Sequence, residues 1–432
     1  MSGSGPAPSR TEACEPALRR DIGFAGSAFL SFNGVVGAGI FALPAALYLQ
    51  FDTFSPWLFP LFGLLVLLVA VPFARVAACF PVSGGPVVYA AAFGPLVSFQ
   101  AGWLYYVARL TALAANSNVF VTYLAAFWPP LGEGLWRAGT IVALCAGLTA
   151  VNIVGVRRAI RLLDALTLLK ALPLVAMAIW GLASAAEPVR IPTALPSLGE
   201  VEIAALLVLY AFIGFENSVV PAGETVDAKR TIPRALILTV CATALLYFVV
   251  QLAYVAVMAP GAGGDAPMVE YGRTVAGPAG AALLTAAAIF SLGGNLSASM
   301  TSTPRATFAL AERGMLPRWF GIVSARFHTP ANSILFLGAI AAVLAVSSSF
   351  VWLAVVSTLA RLIVYSLSIA GLPSARRAES GRLRPSDLAL MAGAFAVCLW
   401  AALQSEWPAW RMLIALLGAG AVLYLAARRA AR

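Results

Sequence analysis

The chain has 432 residues, 61% of them hydrophobic and only 11% charged, with a formal net charge of +10. A soluble globular protein carries about 25% charged residues, so the polar surface here is too small to cover a water-soluble globule of this length. A soluble enzyme or binding module is excluded, and lipid is the natural solvent.

Twelve apolar runs come close to the roughly 20 residues that a membrane-spanning helix needs. They cover 22–49, 54–79, 95–127, 137–156, 162–184, 201–223, 234–259, 275–309, 330–346, 349–371, 387–404 and 408–427. The fold class expected is an all-α polytopic membrane protein with about 12 transmembrane helices. The ninth run is short. The third and eighth exceed a straight crossing, which a tilt or a projecting loop helix would absorb. Residues 1–21 are expected to be a polar cytoplasmic tail with no signal-peptide core, and 428–432 the cytoplasmic C-terminus.

An even number of spans places both termini on one side. Of the basic residues, 21 fall on that side, in clusters such as Arg157/Arg158/Arg161 and Arg376/Arg377/Arg382/Arg384. Four, Arg137, Arg190, Arg273 and Arg411, fall on the other. The positive-inside rule then puts both termini in the cytoplasm. The basic balance is topological, and no nucleic-acid partner is expected. The five cysteines are scattered, with no CxxC pair, and the single histidine, His328, lies in a loop. No disulfide framework, metal site or His-based catalysis is expected, and hence no enzyme. Arginine outnumbers lysine 26 to 2, a hint of a GC-rich bacterial coding sequence.

The first span holds "GVVGAGIF", Gly34 to Phe41, with three glycines in six residues. Each costs a helix about 1 kcal/mol against alanine. Close helix packing explains one such segment. The sixth span, however, holds "YAFIGFEN", Tyr210 to Asn217, with Gly214 in its middle. An offset of five spans inverts the second half against the first, and paired interruptions mark an inverted-repeat secondary transporter. The repeats would be 22–184 (spans 1–5) and 201–371 (spans 6–10). Spans 11 and 12, 387–427, would be an appendage.

A helix unwound in lipid must line a cavity or bind something. The N-terminal end of a half-helix favours an anion and a C-terminal end a cation. Two broken helices crossing antiparallel therefore suit a zwitterion, such as an α-amino acid or a close relative. Among the charged residues deep inside spans are Arg109, Lys170, Glu216 and Arg361. Each is costly unless paired or facing water. Lys170 sits nine residues beyond Arg161, about 13 Å into the bilayer at helical rise. Glu216 and Arg109 could pair across the cavity, or Glu216 could take a proton with Arg109 tuning it. Arg109 could instead face an acidic substrate side chain. For Arg361 the simplest reading is a structural hydrogen bond.

The sequence resembles the amino acid–polyamine–organocation transporters. The resemblance rests on "GVVGAGIFALPAAL", on "FIGFENSVVPAGETVDAKRTIPRA" (Phe212 to Ala235), and on the loops "FPVSGGPVVYAAAFGP" and "PRATFALAERGMLP". The end of the fourth span, "VNIVGVR", adds to it. It covers about residues 20–430. It implies the LeuT-type five-plus-five repeat and alternating access.

Carried over, the first-span backbone at Val35, Gly37, Ala38 and Gly39 would hold the substrate carboxylate. Carbonyls near Tyr210, Ala211 and Ile213, at the break marked by Gly214, would hold the amino group. Ala108 and Arg109 would be third-span pocket positions, where Arg109 departs from the small or neutral residues common in the family. Proton-coupled members place a lysine where Lys170 stands, which gives proton coupling to Lys170, with Glu216 as a second candidate. Lys170 could equally be a structural lysine bonded to the broken first helix.

The expectation is thus a secondary amino acid transporter of a bacterial inner membrane, proton-coupled, with no cofactor beyond the proton gradient. Its partners would be a small amino acid or amine and membrane lipid, as a monomer or homodimer. An exchanger, an exporter or an amine carrier are the alternatives. A polytopic enzyme would concentrate His, Asp or Glu near one face, and a channel would show a filter motif. The loop acids and bases from Glu224 to Arg234 read as a solvated helix end, or as an inside gate ion-paired with Arg19, Arg20 and Asp21.

Overall fold

In lipid, backbone polar groups must be bonded within the chain, and a helix does this within a single segment. The computed structural model describes residues 21–80, 85–155, 171–185, 191–192, 194–219, 221–380 and 382–430. Among them the chain is helical throughout its apolar runs, and its only β contact is an isolated bridge. Nine of the described helices are long and apolar enough to cross a membrane, and Ala171–Ser184 and Ala331–Ser347 are shorter apolar helices.

The difference from twelve has local causes. The third-span helix, Pro95–Ala125, is 31 residues long but stands outside those nine. It buries Arg109, Thr111, Asn116, Ser117 and Asn118, which lower its apolar character. It is the pillar of the bundle, packed against the eighth-span helix Pro267–Glu312, the ninth-span helix Ala331–Ser347 and the tenth-span helix Phe350–Ala370. A helix enclosed by others faces no lipid, so polar side chains are tolerated along it. Of the fifth span only Ala171–Ser184 is described. Lys170 lies outside the described residues.

The described eighth-span helix, Pro267–Glu312, reaches 46 residues because it contains a corner. Ala276 (φ −135°) and Gly277 (φ 62°) leave the helical region just before Pro278. Proline removes a helical N–H donor and clashes with the preceding turn, and glycine alone takes the positive φ without strain. A Cβ at Gly272 would lie 2.5 Å from the Gly280 carbonyl oxygen, so the outer piece folds closely onto the span.

The last two helices, Pro385–Leu403 and Trp407–Ala430, are anchored to the rest. The Trp103 indole donates to the Leu416 carbonyl at 2.8 Å and Gln100 to Leu417 at 3.2 Å. Asp387, fully buried, takes Arg75 of the second-span helix Leu58–Cys79 at 2.5 Å and Arg376 at 3.7 Å. Outward-facing residues are apolar. Leu64, Leu245, Val343, Leu399 and Val422 are each more than 60% exposed. Lipid would cover this belt.

The N-terminal segment meets the loop after the sixth span by backbone pairing. Ile22 N–H donates to Glu224 O at 3.1 Å and Val226 N–H to Ile22 O at 2.9 Å. Arg19 and Arg20 lie outside the described residues.

Candidate functional site

The first span is broken as its glycines suggest. Helix runs over Phe24–Val35, stops at Val36 (φ −73°, ψ 88°) and Gly37 (φ −133°, ψ −139°), and resumes at Ala38–Ala42. Leu43 remains in the helical region and joins this turn to Pro44–Phe51. A break leaves carbonyls without their helical donors, and here each is met by a side chain from another span. Asn295 donates to the carbonyls of Asn33 and Gly34, both at 3.2 Å. Tyr247 donates to Val35 O at 3.2 Å and Ser291 to Val36 O at 3.4 Å. The restarting helix is capped by Asn116, whose Oδ1 accepts from Ala38 N–H at 3.2 Å.

The sixth span opens with a capping box at Ser197 and Glu200, then runs Leu198–Phe212 and stops at Ile213 (ψ 136°) and Gly214. A 3-10 turn, Phe215–Val219, follows. The two breaks touch. Ser31 donates to Phe215 O at 2.6 Å and lies 2.9 Å from the Ser218 hydroxyl. A Cβ on Gly34 would fall 2.7 Å from Gly214 O, and one on Gly39 would fall 2.8 Å from Ala211 Cα. Gly37 is different. A Cβ there would stand 3.4 Å from the Asn295 amide, an ordinary contact. Gly34 and Gly39 therefore let two backbones approach, and Gly37 lies at the break itself.

A small central cavity of about 30 Å³ lies between the breaks and the third, eighth and tenth spans. Of the residues singled out from sequence, Val35, Gly37, Ala38, Gly39, Arg109, Tyr210, Ile213 and Gly214 line it. Ala108 and Ala211 do not. The Ala108 carbonyl faces the tenth span, accepting from Ser357 at 2.8 Å and Arg361 at 3.2 Å. Ala211 packs on Gly39.

Sequence reasoning missed Asn116, Asn217, Asn295 and Ser299 in the lining. Asparagines within apolar runs, in "ANSNVF" and "GGNLS", were the available signal. Asn116 joins the parts. Its Oδ1 also takes the Tyr210 hydroxyl at 3.2 Å, and its amide donates to Asn295 at 2.8 Å.

The intramembrane charges pair differently from the sequence expectation. Glu216 does not meet Arg109. It turns toward the tenth span, where Arg361 Nε donates to it at 3.0 Å. Its other oxygen accepts from the Tyr365 hydroxyl at 2.9 Å and from Gly214 N–H at 3.0 Å. With Glu216 1% and Arg361 4% exposed, this is a buried ion pair whose carboxylate is fully bonded. Arg361 thus has a specific partner at the break, beyond the general structural bond expected. The helical face each charge occupies, absent from a linear reading, decides the pairing.

Arg109 has four neutral partners. Nε donates to Thr303 at 2.9 Å, and Nη2 to Ser302 at 2.6 Å. Nη1 donates to Tyr105 at 3.1 Å and to Asn217 at 2.7 Å. One side chain thereby links the third, sixth and eighth spans. Arg109 also borders a second cleft of about 370 Å³, on the side of the basic loops, lined in part by Ser302, Thr303, Arg305 and Arg313. It forms part of the wall between the two spaces.

Comparison with known proteins shows what the sequence is similar to. A family model described as "Amino acid permease" matches residues 22–427. An uncharacterized transporter of Mycobacterium tuberculosis is 30% identical over 366 residues, which cover 82% of this chain and 80% of the relative. A cadaverine/lysine antiporter of Escherichia coli is 29% identical over 299 residues, 67% of each chain.

Proposed function

Since the chain belongs to the amino acid permease family, a family of transporters, we propose that it carries amino acids across the bacterial cytoplasmic membrane by alternating access, with both termini cytoplasmic. The observation that carries the reading is the meeting of two backbone breaks, Val36–Gly37 and Ile213–Gly214, at one cavity. In this reading the substrate carboxylate sits against the backbone at Val35, Gly37, Ala38 and Gly39. Its ammonium group sits against carbonyls near Tyr210, Ala211 and Ile213, beside Gly214. The breaks fall one in each half, which supports an inverted repeat of 22–184 and 201–371 with 387–427 appended.

Lys170 is assigned the coupling proton on its depth in the fifth span and on the family resemblance. Glu216, with its carboxylate committed to Arg361, Tyr365 and Gly214, would break its ion pair on taking a proton. It serves in this reading to hold the tenth span against the break. The proton gradient then supplies the driving force, and no cofactor takes part.

Uptake of radiolabelled amino acids into proteoliposomes tests this. Acidifying the outside should accelerate uptake by wild type, and Lys170→Ala should still bind substrate while its flux no longer responds to pH. Unchanged pH dependence in Lys170→Ala would overturn the coupling role. A second reading, exchange, is favoured by the Escherichia coli relative, whose name is that of an antiporter. It requires that uptake ignore the pH gradient and depend on substrate loaded inside.

A further inference from the structure

Arg109 is 7% exposed and lines the central cavity. A guanidinium carries five N–H donors. Four are used here, on the oxygens of Thr303, Tyr105, Asn217 and Ser302, and each of those groups is neutral. Among the described residues no carboxylate pairs with it. Glu216, the buried acid next in sequence to its partner Asn217, is already committed to Arg361. The lining therefore holds two guanidiniums and no acid, and only one of the two is compensated. Taking a charge out of water without a counter-ion is strongly unfavourable. A site that keeps such a charge at the wall of a ligand cavity is one whose counter-ion comes from the ligand.

Resting on the amino acid transport reading above, we infer that Arg109 is a specificity residue and that the preferred substrate is an amino acid with a carboxylate side chain. Asn116 caps the restarted first helix, and Arg109 lies seven residues, about 10 Å of helix, further along the third span. The cavity thus has two separated points of recognition. The α-carboxylate and ammonium groups stay at the breaks, and the side-chain carboxylate reaches the guanidinium. The remaining N–H is available to it, and the neutral partners hold the planar group in place for an oxygen acceptor. Arg305 and Arg313 border the cleft on the far side of Arg109, so an acidic substrate meets positive charge on both sides of this wall. A diamine would meet it with no acid in the lining to receive either end. On this point the chain departs from what the name of its Escherichia coli relative says that protein carries.

The test compares near-isosteric ligands on the purified full-length protein in nanodiscs. Binding of glutamate is measured against glutamine, and of aspartate against asparagine, with leucine, lysine and cadaverine alongside. A charge-assisted contact predicts roughly 10- to 100-fold tighter binding of each acid than of its amide. It also predicts no measurable binding of cadaverine. In Arg109→Gln the acid-to-amide ratio should fall to near one. The ratio in wild type needs no variant, so a poorly folded Arg109→Gln protein cannot shelter the inference. Equal binding of acid and amide by wild type would overturn it, since Arg109 would then serve the α-carboxylate or structure alone. Tight binding of lysine or cadaverine would overturn it as well. Binding of neutral amino acids without preference leaves the transport reading intact, whereas binding of no amino acid removes both.

Discussion

Arg361→Met is expected to destabilise the protein by about 3–5 kcal/mol, the cost of leaving a buried charge without its partner. Glu216 would keep only the Tyr365 hydroxyl and the Gly214 N–H as donors, at 1% exposure. Arg361 also bonds the Ala108 carbonyl and Ser357, so its loss loosens the third span from the tenth. Glu216→Gln leaves the opposite orphan, a guanidinium 4% exposed, and should fall in the same range. The double variant Glu216→Gln/Arg361→Met removes both charges and should recover more than half of the loss, because two neutral groups of similar volume cost little to bury. Thermal melting of the purified proteins reads the effect. Single variants that melt with wild type would show that the pair does not hold the break together.

Gly214→Ala is expected to be more damaging than its single added carbon suggests. The φ of +118° lies where L side chains are strained, at about 1–3 kcal/mol. The new Cβ would stand 2.3 Å from the Gly34 carbonyl carbon and 2.4 Å from its oxygen. Both are backbone atoms, so relief requires the two broken helices to separate. The variant should express poorly or lose ligand binding. Gly37→Ala, whose Cβ meets nothing closer than 3.4 Å, should melt close to wild type. Equal melting temperatures for the two variants would contradict this division of roles among the glycines.

The sequence reading placed the paired breaks inside "GVVGAGIF" and "YAFIGFEN", because close packing explains one glycine-rich segment but not two at a five-span offset. It set Gly37 and Gly39 alike at the carboxylate site of the broken helix. Only Gly37 lies at the opening, and Gly39 is a contact with Ala211. That distinction depends on which neighbour faces which side, and a linear pattern does not carry it. The same limit applies to the charges. Arg109, Glu216 and Arg361 were legible as costly groups needing partners, yet Glu216 was paired with Arg109 as one hypothesis when its partner is Arg361. Asn116 and Asn295 escaped notice because a neutral amide, unlike a charge, does not by itself demand a partner in lipid, although these two join the third and eighth spans to the first break. The third span itself was found by length, while its polar content reflects enclosure by other helices.

The central claim is that the break at Gly37 is a ligand site. Uptake by proteoliposomes containing wild type or Gly37→Leu tests it most directly, with melting temperature and monodispersity measured on the same preparations. The account predicts that Gly37→Leu, whose side chain would project toward Asn116 and Asn295 in the cavity, remains folded and loses saturable amino acid uptake. A folded Gly37→Leu protein that transports amino acids as wild type does would contradict it.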